Sequence, residues 1–348
     1  MGWCLALSGA WLGCGGASAD GGGDDAAAIA VDGAVEGGAG DPSKDGGKAD
    51  GASDATAPAL RDPTADGPYA IAEKDATAKI ASTGDSCAVH VAYPTTGGPF
   101  PIVVVAHGFQ LAPSQYYGYL KRLASFGYVA LTVDFPTSFL GNDNPKEAKD
   151  LIGGIDWAKG DATVGPKVDA TRAGMSGHSL GGKLALLAST LDPRVKASFV
   201  LDPVDGGGPT GCNQPQCVIV KDLMPSLAIP TGFLGETTDA SGGLQPCAPA
   251  ANNYQTFYAK TQSPSLQVTA LGANHMSFLD DVSACGFTCS VCAAATAPNA
   301  QVSGMGRALM VAFYERWLKG EAGYDAWLTG AQAQKAWVAS KQATIASK

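Results

Sequence analysis

The chain has 348 residues, 45% of them hydrophobic, with 23 basic and 32 acidic side chains and a net charge of −9. That length supports one large domain or two small ones with a sizeable core. No basic stripe runs along it, so no nucleic-acid partner is expected.

The first segment, "MGWCLALSGAWLGCGG", is apolar but too short to span a membrane. Its "WLGC" ending looks like the lipobox of a bacterial lipoprotein, although Trp11 replaces the usual leucine and the leader has no Lys or Arg. Residues 1–13 are therefore expected to be a leader removed before Cys14, with Cys14 lipidated. Residues 14–66 are rich in Gly, Ala and Asp and contain no aromatic side chain. Residues 1–66 also hold eleven acids against Lys44, Lys48 and Arg61, leaving the rest of the chain nearly neutral. Such a segment buries too little apolar surface to fold, and as a Gly-rich coil it reaches roughly 40 Å. It reads as a disordered tether for an exported protein at the cell envelope. The only membrane contact expected is through the lipid anchor.

From residue 67 to 348 the chain alternates strand-like and helix-like runs. "SCAVHVAYP" has strand alternation, and "FPIVVVAHG" is the continuous apolar run of a buried parallel strand. "SQYYGYLKRLASFG" has helical spacing and closes at Gly127. "YVALTVDFP" is a strand, "AKDLIGGIDWAKG" a helix with a Gly-Gly weakness, and "TRAGMSGHS" a short strand before the helix "LGGKLALLASTLD". "VKASFVLDP", "IPTGFLGE" and "SLQVTALGAN" are further strands, and "SGMGRALMVAFYERWLKG" is a closing helix. Strands alternating with helices predict an α/β fold, a mostly parallel sheet covered on both faces.

Beyond Cys14 lie seven cysteines: Cys87, Cys212, Cys217, Cys247, Cys285, Cys289 and Cys292. In an exported protein these pair, leaving one over. Cys212 and Cys217 flank a Pro-containing turn and should bond to each other. Two of the 285–292 group should pair locally or with Cys247. "CGFTCSVC" lacks a histidine or a second well-spaced pair, so no metal is expected, and no cofactor motif is present.

"GHSLG" places Ser179 between a short strand and a helix, flanked by Gly177 and Gly181. This is where a nucleophile elbow belongs, with Oγ raised near a helix N-terminus. A serine nucleophile needs a base, and there are four histidines. His178 must point away from the Ser179 hydroxyl. His107 ends a strand whose following N–H groups suit an oxyanion hole, and His90 lies inside an early strand. His275, after the last predicted strand, fits the order Ser…Asp/Glu…His. For the acid, Asp202, Asp205, Glu236 and Asp239 all stand after suitable strands, and pattern alone does not choose.

"PFPIVVVAHGFQ", "YYGYLKRLASFGYVALTVDF", "GHSLGGK", "LDPVDG", "FLGE" and "GANHMSFLDD" occur in this order. Together they resemble the chlorophyllase family of α/β hydrolases over residues 68–320, and more loosely the dienelactone and bacterial polyester hydrolases. The resemblance implies the α/β-hydrolase fold and a triad of Ser179, Asp202 and His275. Backbone N–H groups of Phe109 and Leu180 would form the oxyanion hole. It departs at Leu180, where plant chlorophyllases commonly carry arginine, and in the cysteine insertion at 285–292. The expected activity is serine carboxylic ester hydrolysis on a small or lipid-like apolar ester. Phe109, Leu111, Tyr116, Tyr117 and Met276 are candidate pocket residues. A thioesterase, amidase or lactone hydrolase with the same triad, and a non-catalytic tethered binding protein, are the competing expectations.

Overall fold

The computed structural model describes residues 60–348 except 140, 207–211, 213–215 and 242–245. The leader, Cys14 and most of the expected tether lie outside the described residues. The strands are β1 Ile71–Lys79, β2 Ser86–Pro94, β3 Phe100–Ala106, β4 Val129–Asp134, β5 Val168–His178, β6 Val195–Leu201, β7 Thr231–Glu236, β8 Ser265–Ala270 and β9 Ala343–Ser347. They form one sheet in the order β1-β2-β4-β3-β5-β6-β7-β8-β9. β4, β3, β5, β6, β7 and β8 run parallel to one another. β1, β2 and β9 are antiparallel to their neighbours, at the two edges.

The continuous apolar runs follow from burial on both faces. Side chains alternate across a strand, so Val103 and Val105 of β3 enter one core and Ile102, Val104 and Ala106 the other. The main helices are α1 Tyr117–Ser125, α2 Asn144–Gly160, α3 Leu180–Leu191, α4 Tyr254–Lys260, α5 Phe287–Ser290 and α6 Asn299–Leu318. α1 and α6 supply Leu120, Leu123, Met305, Leu309 and Phe313 to the first core. α2, α3 and α4 supply Leu151, Ile155, Leu184, Leu187 and Phe257 to the second. The Gly153–Gly154 pair of α2 is a close-packing point. An added Cβ would come within 2.4 Å of Ile80 at the first and 2.6 Å of Val133 at the second.

Packing begins slightly before residue 67. Pro63 is buried, its carbonyl accepts from Arg122 Nη1 at 2.8 Å, and Asp66 pairs with Arg122 at 3.1 Å. Residues 63–66, expected in the tether, are thus held against α1 by one guanidinium.

Cys212 bonds to Cys217, Cys285 to Cys289 and Cys247 to Cys292, and Cys87 stays free and buried. The local and long-range pairings expected from the spacing both occur. Cys247–Cys292 spans 45 residues, and closing so long a ring restricts the unfolded chain by about 4 kcal/mol in the chain-entropy treatment. The five-residue Cys212–Cys217 ring is worth about 2 kcal/mol on the same basis.

Candidate active site

β5 ends at His178 and α3 begins at Leu180, so the chain reverses from strand to helix across the single residue Ser179. Its backbone sits at φ 57°, ψ −123°, a conformation that costs energy for any residue with a Cβ. The two flanking glycines make the reversal possible sterically. A Cβ on Gly177 would lie 2.4 Å from the Gly181 carbonyl oxygen, and one on Gly181 would lie 2.4 Å from the carbonyl oxygens of Ala106 and His107. The elbow is therefore wedged against the end of β3.

Two further loops converge on Ser179. Asp202 follows β6, with φ 39° and its N–H bonded to Leu234 O at 2.7 Å. His275 follows β8 and opens a short 3-10 turn braced by Asn274 and Ser277. The Ser179 hydroxyl is 2.8 Å from His275 Nε2, and His275 Nδ1 is 2.6 Å from Asp202 Oδ2. The imidazole and the carboxylate are both buried.

Among the competing acids, only Asp202 touches the imidazole. Glu236 instead accepts the N–H groups of Thr238 and Asp239. Asp239 accepts the His275 N–H through Oδ2 and the Ala293 N–H through Oδ1, both at 2.7 Å. It grips the backbone of His275 without reaching its ring. Asp205 accepts from Val220 and Lys221 N–H and lies 3.4 Å from the buried Lys183 ammonium.

Burial by itself pulls the His275 imidazole downward. The hydrogen bond and charge of Asp202, backed by Asp239 and Glu236, outweigh it and raise the group above the ordinary 6.5. Burial lifts Asp202 against the opposing pull of His275. Burial and the neighbouring Asp202 charge push Glu236 up to about 7.

A cavity of about 220 Å³ opens on Ser179 and His275. Phe109, Leu111, Leu180, Val204, Met276 and Val291 give it a largely apolar wall, with Asn142, Gly206 and Cys247 also lining it. Phe139, 65% exposed, stands edge-on to Phe109 at 5.0 Å and extends this surface outward. The loop carrying Phe109 is tied down by Gln110, whose amide donates to Thr137 Oγ1 at 2.8 Å.

Of the expected pocket residues, Phe109, Leu111 and Met276 line the cavity and two do not. Tyr116 is fully buried with its hydroxyl against Gly108 N and His178 Nδ1. Tyr117 turns to the other side and stacks on His90 at 3.6 Å. Sequence periodicity did not distinguish them, because the helical run breaks into a 3-10 turn, Pro113–Tyr116, before α1. Asn142 and Val291 come from loops with no pattern of their own, and Val204, though inside the "LDPVDG" motif, carries no polar group to single it out. Cys247 and Cys292 lie with Asp239 within 4.8 Å, but their sulfurs are joined to each other.

Residues 62–336 match the chlorophyllase family. The chain is 28% identical over 232 residues to Chlorophyllase-1 of Arabidopsis thaliana, covering 63% of this chain and 69% of that protein. It is 30% identical over 210 residues to Chlorophyllase-2 of the same plant, covering 55% and 64%. It is also 27% identical over 194 residues to the bis(hydroxyethyl) terephthalate hydrolase of Streptomyces coelicolor, covering 56% and 55%. With the sheet order and the match over most of the described residues, this chain belongs to the chlorophyllase family of α/β hydrolases, a group of carboxylic ester hydrolases.

Proposed function

We propose that Ser179, His275 and Asp202 act as nucleophile, general base and orienting acid in the hydrolysis of an apolar carboxylic ester. The observation that carries this reading is the continuous line of hydrogen bonds from Asp202 Oδ2 through both nitrogens of His275 to Ser179 Oγ. In that line Nδ1 carries a proton toward Asp202, and Nε2 is bare and faces the serine hydroxyl. As Oγ attacks the ester carbonyl, its proton passes to Nε2, and the buried Asp202 stabilises the imidazolium. The N–H groups of Leu180 and Phe109 receive the oxyanion. Leu180 opens α3, where N–H groups lack an intrahelical acceptor, and both residues line the cavity at Ser179. The imidazolium protonates the departing alcohol. Water then enters, loses its proton to His275, and frees the acid.

Walls that are largely apolar among the described residues support an ester with an uncharged, hydrophobic acyl or alcohol part. Relatives named for chlorophyll, cutin and terephthalate esters support the same class. A fluorophosphonate probe tests the reading: it should label Ser179, established by peptide mapping, and abolish turnover of p-nitrophenyl esters. Labelling elsewhere, or none, overturns it.

The pH profile follows from His275. It must be neutral to accept the serine proton, and its surroundings raise it. Activity, measured as kcat/KM, should therefore fall as pH drops through a value above the ordinary 6.5. Asp202→Asn removes the main raising charge and should move this acid limb to lower pH. An unmoved limb would mean that another group titrates.

We further propose export with lipidation at Cys14 and residues 14–62 as a tether. The apolar "WLGC" leader and three disulfides in the described part support this reading. Cys14→Ser should move the full-length protein out of the membrane fraction of a bacterial host. Unchanged partitioning would dismiss the anchor.

A further inference from the structure

We infer that Tyr116 and His178 are positioning residues, forming a buried hydrogen-bonded link that fixes the loop after β3 against the main chain of His275. The inference rests on the catalytic reading above and adds two residues that do not touch the reacting atoms.

The link can be followed proton by proton. The carbonyl oxygen of His275 can only accept, so His178 Nε2, 2.8 Å away, carries the hydrogen and donates it. In a neutral imidazole Nδ1 is then bare and accepts the Tyr116 hydroxyl proton at 2.8 Å. The hydroxyl oxygen in turn accepts the Gly108 N–H at 3.2 Å. Every donor has one acceptor, provided His178 stays neutral. Burial, helped by the nearby His275, holds it well below the ordinary histidine value. All three groups are fully or almost fully buried.

The ends of the link give it meaning beyond satisfying buried polar atoms. Gly108 directly precedes Phe109, the oxyanion donor in the proposed mechanism. His275 O belongs to the base itself. The link therefore spans the two loops, after β3 and after β8, that must be in register when charge develops on the substrate oxygen. The rings of His178 and His275 are also in contact, with centroids 4.7 Å apart. The side chain that had to point away from Ser179 Oγ thus has a definite destination.

The same two segments are fastened independently farther out. Asp280 N and Asp281 N donate to Gln115 O and Oε1 at 2.9 and 3.0 Å. Tyr119 OH donates to Phe278 O at 2.7 Å. Removing one hydroxyl from Tyr116 leaves these ties intact, so Tyr116→Phe should fold and lose only the fine registration.

The test is a double-mutant cycle on purified enzyme with a p-nitrophenyl ester, with circular dichroism and thermal midpoints as folding controls. Tyr116→Phe should lower kcat about tenfold, the size of one neutral hydrogen bond, with KM within about twofold. His178→Leu should lower kcat further. Tyr116→Phe in the His178→Leu background should cost nothing more, because the link is already broken. His178→Gln, which retains an N–H for His275 O, should recover part of the loss. A merely structural pair would lower the thermal midpoint and leave kcat of the folded enzyme unchanged. Unchanged kcat in Tyr116→Phe, or losses that multiply in the double variant, overturns the inference. Should Tyr116→Phe fail to fold, His178→Gln decides alone: kcat equal to that of His178→Leu overturns it. Activity surviving in Ser179→Ala would instead overturn the catalytic reading, so the two failures are distinguishable.

Discussion

Ser179→Ala should lower kcat by between about 10³ and 10⁶, with circular dichroism and thermal midpoint unchanged. The hydroxyl is the only group removed, and it is hydrogen-bonded to His275 Nε2. Alanine tolerates the elbow no worse than serine, since the strain at φ 57° comes from having a Cβ at all. The fold should therefore be indifferent to the change while the chemistry is not. Residual turnover from the oxyanion hole and substrate binding would survive at a low level. Retention of near wild-type kcat, measured after active-site titration to exclude contaminating esterase, would remove Ser179 from the mechanism.

Asp202→Asn should lower kcat by about 10⁴, the loss seen when the acid of a Ser-His-Asp triad becomes an amide. The amide preserves shape but not charge. It no longer favours the tautomer with a proton on His275 Nδ1, and it stabilises no imidazolium. Glu236→Gln should cost less than about tenfold, because Glu236 holds backbone N–H groups and not the ring. Burial and the Asp202 charge also push its carboxyl up to about 7, so the amide removes less charge than it would from an ordinary glutamate. Asp239→Asn keeps one acceptor for two backbone donors and should fall between them. A larger loss at Glu236 than at Asp202 would move the acid to the end of β7.

The inner sheet was legible because burial on both faces writes itself as uninterrupted apolar runs, as in "PIVVVA" of β3. The edges were not. β1 reads "IAEKDATAK", with charged residues on an exposed edge and no run to recognise. β9, "ATIAS", is five small or β-branched residues whose strand character comes from pairing with β8. The meeting of Ser179 and His275 could be anticipated from glycine spacing and chain order, since the elbow is a local steric device. The carboxylate on the His275 ring could not, because Asp202, Asp205, Glu236 and Asp239 all follow strands and only three-dimensional convergence separates Asp202 from the others. The link through Tyr116 and His178 joins residues 62 apart in the chain. Nothing in either local pattern names its partner.

The bridge between Cys247 and Cys292 makes α4, β8 and His275 parts of one covalent ring, while Ser179 and Asp202 lie outside it. A protease that cut the exposed stretch around Asp281 to Ala284 would open the main chain beyond His275 but release nothing. The two pieces would migrate together on a gel until a thiol reagent was added. His275 stays on the same piece as Ser179 and Asp202, and the C-terminal piece with α6 and β9 is lost only when nicking and reduction coincide.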